Sequence, residues 1–320
     1  DSKKFVHLLH DPDNPYSISD NAIYAIFPDR EGGLWIGSYF GGIDYLLPKY
    51  AHFEKFFPKL KDNSIRGRVV REFCEDINGN IWIGTEDGGL NIFNIDTEEF
   101  TQFSDKNLYH NIHAICLDGD NLWVGTFSMG LYKLNIKKRI ITDHFLKTND
   151  TGSIIDNNIY ALCKTNSGDL YIGTPEGLSV FEQNSKKFVT VDELNGVFVF
   201  DIFEDNDGYI WFASYNSGIF VFNPRNKSWK HYINKSNVPN SLPYNKVISI
   251  FEDSKKQLWF TFQGEGFCKF DKKSEKFIQY LKNNLPNKVI YKILEDNKGN
   301  LWMTSNKGLI CFNPQLNTLK

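Results

Sequence analysis

Cysteine is scarce in this chain of 320 residues: there are 5, at Cys74, Cys116, Cys163, Cys268 and Cys311, with no CxxC pair. An odd count without paired spacing excludes a simple disulfide framework and a CxxC-type zinc site. A dominant charge is missing too. The net charge is −3, so no polyanion is an implied partner and nucleic acid is not expected to bind. No apolar run approaches the roughly 20 residues of a membrane span, so no membrane contact is expected of this chain. The sequence opens on Asp1, with neither Met nor a signal-peptide pattern, and reads as a mature or trimmed chain. Catalytic signatures are absent as well. There is no GxSxG, P-loop, HExxH or glycine-rich dinucleotide motif, and no Asp-rich loop has EF-hand spacing, so neither cofactor nor metal is expected.

What is abundant is aromatic side chains, 15% of the chain with 27 Phe and 15 Tyr, a composition that favours strands. They recur in register. An aromatic anchor stands at Trp35, Trp82, Trp123, Tyr171, Trp211, Trp259 and Trp302, at spacings of 40 to 48 residues. Before each anchor comes an apolar stretch ending in an acid, as in "VREFCED" and "ISIFED". The acid is Asp29, Asp76, Asp118, Asp205, Asp253 or Asp296, and in the fourth copy Thr165 replaces it. Between acid and anchor most copies carry a glycine, which suits a tight hairpin: Asp accepts turn N–H groups and Gly supplies the positive φ. A second glycine opens a third strand, and residues such as Phe53, Phe100, Trp229 and Phe277, 17 or 18 positions past the anchor, mark a fourth.

Each unit is therefore a four-stranded antiparallel meander with the period of a propeller blade. The expected architecture is all-β: one seven-bladed β-propeller over residues 1–320. The seventh unit ends soon after Trp302, so residues 3–9 are expected to supply its fourth strand and close the ring, removing an exposed edge. Cys74, Cys116 and Cys163 share one repeat position with Phe27, Phe203, Phe251 and Leu294, and read as small core hydrophobes. Because DxxGxxW recurs, it reads as structure; catalysis needs a unique site.

Specificity must lie where copies differ, in the loops between strands two and three and between blades. Arg66, Arg68 and Arg71 enter the second unit where other copies have Asn or apolar residues, and nearby loops offer Tyr39, Phe40, Phe127, Tyr215, Phe262 and Gln263. Aromatic faces with Arg, Asn and Gln around them suit a polar ring such as a sugar, including an acidic one. Glu72, Asp201 and Lys292 share one axis-strand position and read as mutually satisfied channel charges. The HxxH pairs His7/His10 and His110/His113 would point to opposite faces of a strand, which argues against shared metal binding. Glu86, Asp87 and Glu265 are the loop carboxylates that a hydrolase or lyase would have to use.

The segments "EFCEDINGNIWIGTEDGGLNIF", "NKVISIFEDSKKQLWFTFQGEGFCKF" and "HDPDNPYSISDNAIYAIF" resemble the two-component regulator propeller repeat, and the resemblance covers essentially the whole chain. "DREGGLWIGSYFGGIDYL" is similar to a blade of the periplasmic sensors of hybrid two-component systems. The resemblance implies a non-catalytic periplasmic ligand-sensing region of a hybrid histidine kinase and response regulator, an oligosaccharide ligand, a second propeller and a β-sandwich in the same receptor, and a homodimer. The chain would be one propeller of a longer protein. The alternatives are an interaction scaffold packing on a second propeller, and a propeller glycoside hydrolase or lyase.

Overall fold

Short runs of alternating apolar and polar residues, punctuated by Asp and Gly, make strands joined by tight turns. In the computed structural model this pattern holds along the chain. The structure describes residues 8–319 except 15, 29, 31–32, 47–55, 60–62, 106–107, 109–110, 282–284 and 286–287. Six four-stranded antiparallel sheets follow in chain order, each a simple meander, and the first sheet has three described strands, Ile23–Pro28, Leu34–Ser38 and Ile43–Leu46. The fourth strand expected around Phe53 lies outside the described residues. A three-residue 3-10 turn, Asp192–Leu194, lies between blades four and five. The fold is a seven-bladed β-propeller.

The repeated acid does more than shape a turn. In blade two, Trp82 Nε1 donates to Asp76 Oδ2 at 2.9 Å, while Oδ1 accepts the N–H groups of Asn78 and Asn80 at 2.8 and 3.0 Å. The same clasp joins Asp118 to Trp123 (3.2 Å), Asp205 to Trp211 (2.9 Å), Asp253 to Trp259 (2.8 Å) and Asp296 to Trp302 (2.9 Å). Burial opposes ionisation of Asp76, yet the indole and turn N–H donors outweigh it and hold the carboxyl below its usual range. Blade four lacks both partners. Thr165 there bonds its hydroxyl to the Asp169 carbonyl and to Ser167, and Tyr171 has no indole N–H to offer.

The second glycine is needed for its conformation and for space. At Gly218 φ is +79°, and a Cβ would lie 2.2 Å from the Tyr232 carbonyl oxygen. The serine or threonine ending the second strand ties this turn, as when Thr85 Oγ1 donates to the Gly89 carbonyl at 2.9 Å and Ser214 Oγ to that of Gly218 at 2.9 Å.

Neighbouring blades interlock in two ways. A Cβ on Gly125 would sit 2.4 Å from Ile159 Cγ2, so glycine lets the next blade approach. Near the opposite end of the inner strands, a glutamate of one blade accepts turn N–H groups of the blade before it. Glu204 takes Asn166 N (2.7 Å), Glu252 takes Asn206 N (2.9 Å) and Glu295 takes Ser254 N (2.6 Å). Apolar clusters fill the junctions from blade two through blade seven. Cys116 and Cys163 belong to them as expected of small hydrophobes, and burial pushes their thiols up to about 11 and about 12.

The outer edge of blade seven corrects one expectation. That position is filled by Thr318–Leu319, which pair with Asn313 and Phe312. Leu319 lies 17 residues past Trp302, the spacing seen in other copies, and the turn is made within the chain: Asn313 Oδ1 accepts the Gln315 and Leu316 N–H groups at 3.0 and 2.9 Å, and Asn317 takes φ +53°. Residues 3–7, the core of the predicted closing strand, lie outside the described residues, and Leu8 and Leu9 are not in a strand.

Replacing Asp205 by Ala should lower the unfolding free energy by about 2–3 kcal/mol, because the Trp211 indole and two turn N–H groups lose one buried acceptor. Thr165→Ala, in the blade without a clasp, should cost about 1 kcal/mol or less by the same urea titration. Equal losses would contradict this reading of the acid.

Candidate functional site

The inner strands of blades one, two, three, five and six each begin with an irregularity that re-aims one side chain. Pairing with the second strand skips Tyr24, Arg71, His113, Phe200 and Ile248, the residues just before the small or charged channel position. Such bulges are common where a strand must turn a side chain towards a site. A second set of residues meets them. The backbone N–H just beyond the second strand donates to the carbonyl just before the bulge pair: Tyr39 to Ala22, Glu86 to Val69, Phe127 to Asn111, Tyr215 to Phe198 and Gln263 to Lys246, at 2.9 to 3.1 Å. In blades two, three, five and six this repeated hydrogen bond brings both variable positions to the mouth of the central channel.

There the side chains form a continuous band from blade two to blade six. Arg71 Nε lies 3.4 Å from Glu86 Oε1, with both side chains 33% exposed. His113 Nε2 is 3.9 Å from the same oxygen, and its ring meets Tyr160 edge-on at 4.7 Å and Phe127 at 5.6 Å. Tyr160 packs on Phe198 (4.7 Å) and Phe200 (5.7 Å), and both reach Tyr215 (5.4 and 5.8 Å). Lys246 Nζ stands 5.1 Å above the Tyr215 ring.

Burial, and then the Arg71 charge, lower the His113 pKa to about 4, so the imidazole is neutral near pH 7. Its Nδ1 is buried and has no hydrogen-bond partner among the described residues, and Gln263 Oε1 is in the same state. A buried polar atom in that condition costs about 1–3 kcal/mol, which a donor arriving from the mouth would recover. Below the mouth, Lys292 Nζ lies 3.4 Å from Glu72 Oε2, and Asp201 Oδ2 accepts Ile250 N at 2.9 Å. Asp201 first, and Glu72 with it, raise the Lys292 pKa, so these channel charges satisfy one another as expected.

Of the residues singled out from sequence, Arg71, Phe127 and Tyr215 enter the band. Tyr39 and Phe40 form a separate patch on blade one, where Tyr39 stacks on Tyr24 at 5.0 Å and Phe40 is 86% exposed. Arg66 and Arg68 stand on the outer rim of the same face. Asp87 holds the Arg68 N–H at 2.8 Å, and Asn91 brackets Arg66 by its N–H and carbonyl at 2.8 and 2.9 Å. Beside Arg66 opens a cavity of about 450 Å³ lined by Lys59, Asn63, Phe100 and Gln102, away from the channel mouth.

Phe262 must be withdrawn as a contact residue. It is 0% exposed and sits in the core between blades five and six, because it occupies the position that Thr85 and Ser214 fill elsewhere, which always points inward. Of the loop carboxylates, Asp87 is used by the backbone of Arg68 and Val69, and Glu265 accepts from Gln279 at 3.3 Å. Glu86 alone joins the band. His7 and His110 lie outside the described residues, and among the described residues no cluster of three metal-ligating side chains occurs.

The family profile described as two component regulator propeller matches residues 17–40, 64–87, 153–176, 193–216 and 284–307. These five segments are similar to the two-component regulator propeller repeat. The matches fall on blades one, two, four, five and seven. The unmatched blades, three and six, are those with a shortened first hairpin and with Thr261–Phe262 in place of Gly-Thr, yet both have the same four strands. Among solved structures, the extracellular domain of a candidate hybrid two component system from B. thetaiotaomicron superposes with a TM-score of 0.66 at 20% identity, over 96% of this chain and 47% of that one. Virginiamycin B lyase from Staphylococcus aureus gives 0.64 at 15% identity, over 81% of this chain and 86% of that one. At these identities the likeness shows the fold alone, and this chain spans about half the length of the first. No curated protein sequence matches the chain significantly.

The repeats hid part of the band from sequence reasoning. His113, Tyr160, Phe198, Phe200 and Lys246 were missed. For His113, Tyr160 and Phe200 a signal was available: each stands one place before the position that Glu72, Asp201 and Lys292 occupy in their own blades.

The state of His113 makes stability depend on pH. Its folded pKa of about 4 lies below the unfolded value of 6.5, so the unfolded chain binds the extra proton between them. Stability from this group is complete above pH 6.5 and is lost as pH falls towards 4, by on the order of 3 kcal/mol at the lower end. In urea titrations at pH 7 and pH 4.5, His113→Gln should lose less stability on acidification than the parent. An identical pH dependence would contradict the burial of a neutral imidazole.

Proposed function

We propose that this propeller is a non-catalytic ligand-sensing part of the periplasmic ectodomain of a hybrid two-component receptor, and that its ligand is an oligosaccharide released from a polysaccharide. The observation that carries the reading is the band at the channel mouth. An Arg–Glu pair next to half-buried aromatic rings is a set of groups that orients hydroxyls and stacks sugar faces. It sits on repeats similar to those of a two-component regulator family. The fold likeness to an extracellular domain of such a system supports placement outside the inner membrane, and among the described residues no helix is long and apolar enough to cross one.

In this reading residues 1–320 form one propeller of a longer receptor, which carries a second propeller and a β-sandwich and works as a homodimer. The kinase belongs to the rest of the receptor. Binding signals only if the ligand favours one arrangement of the receptor over another. A second reading, a docking propeller, is favoured by one feature: Phe73 (61% exposed) and Leu294 (67%) leave the blade-two and blade-seven positions equivalent to buried Ile115 and to partly buried Cys116 open.

Isothermal titration of the chain against oligosaccharides from several plant and host polysaccharides should show saturable binding, with no reducing ends and no unsaturated products formed in the same mixtures. Product formation would move the chain to the hydrolases or lyases; absence of any binding would favour the docking reading.

A further inference from the structure

The band at the mouth has a charge balance that narrows the ligand. Arg71 and Glu86 stand 3.4 Å apart and neutralise one another, and among the described residues the contact to the guanidinium is at Nε. The two terminal amino groups of Arg71 remain to donate, and the outer Glu86 oxygen remains to accept. His113, closing this notch on the blade-three side, is buried and neutral and keeps its Nδ1 without a partner among the described residues. Next to it Tyr160, Phe200 and Tyr215 give half-buried ring surface. The other cation, Lys246, is set against the Tyr215 ring rather than into the Arg71–Glu86 notch.

We propose that this inner notch, and not the outer-rim arginines, is the recognition site, and that it takes an uncharged saccharide: a vicinal diol of one unit gripped by Arg71 and Glu86, with the rest of the sugar running along Tyr160 towards Phe200 and Tyr215. A carboxylate on the sugar would meet Glu86 as a like charge, whereas two neighbouring hydroxyls match one donor edge and one acceptor oxygen. Arg66 and Arg68 are poorly placed for the role, because their backbones are fastened at the rim by Asn91 and Asp87. This deepens the sensing proposal and rests on it.

The test is isothermal titration of the whole chain with cellobiose, maltose, xylobiose, mannobiose and lactose, with digalacturonate as the charged arm. At least one uncharged disaccharide should bind and digalacturonate should not. Arg71→Met, Glu86→Gln and Tyr215→Ala should each weaken that binding about tenfold or more, while the Arg66→Ala/Arg68→Ala double variant should leave it unchanged. Melting temperatures identify any variant that has lost its fold, and Arg71 and Glu86, both a third exposed, are least exposed to that failure. Binding of digalacturonate alone, or loss of binding in the rim double variant with the notch variants unaffected, overturns the notch and leaves oligosaccharide sensing standing. No binding of any of these sugars overturns both.

Discussion

The propeller depends on a carboxylate that serves two donors at once. One oxygen of Asp76, Asp205 or Asp253 closes the first hairpin by taking two turn N–H groups; the other takes the indole N–H of the tryptophan six residues on. The turn and the core aromatic are thereby fixed to each other, and the tryptophan can be buried to 1–4% exposure without an orphaned N–H. The blade then packs as a prefabricated unit. In blades five and six its turn also presents N–H groups to the glutamate of the next blade, and blade four makes the same contact without a clasp.

A shared scaffold of this kind leaves few positions free, and they fall at the channel mouth. The bulge on the inner strand and the residue beyond the second strand are fixed in space by backbone hydrogen bonds that do not depend on the side chain. Those positions can change between blades at little cost to the fold. Here they hold Arg71, Glu86, His113, Tyr160, Phe200 and Tyr215, and the result is one polar notch beside one aromatic surface. Blade four shows how far the scaffold itself can drift: acid and indole are both absent there, and Thr165 with Ser167 and Asp169 makes a neutral substitute.

Most of the fold was legible in the sequence because the repeat is enforced by turn chemistry. Asp, Gly and the aromatic anchor announce each blade, and their spacings locate the strands. The indole bond was not legible, since a turn carboxylate gives no sign of its second partner. The last strand was missed for a different reason: residues 3–9 matched a strand pattern, while Asn313 and Asn317, which turn the chain back on itself, carry no apolar signal. The site was half legible. Loop residues such as Tyr215 and Phe127 stand out by type, whereas Phe262 misled because loop membership was read before repeat register. His113 lay hidden within an apolar strand, where the bulge distinguishes it, and Tyr160 stands just before one.

The central claim, that acid and indole act as one coupled pair, is tested most directly by building the clasp where it is missing. In a double-mutant cycle, Thr165→Asp and Tyr171→Trp are made singly and together and unfolded in urea. The account predicts that each single change destabilises, by burying an unshared carboxylate or an orphaned indole N–H, and that the two together recover about 1–2 kcal/mol beyond additivity. Strictly additive losses would contradict it.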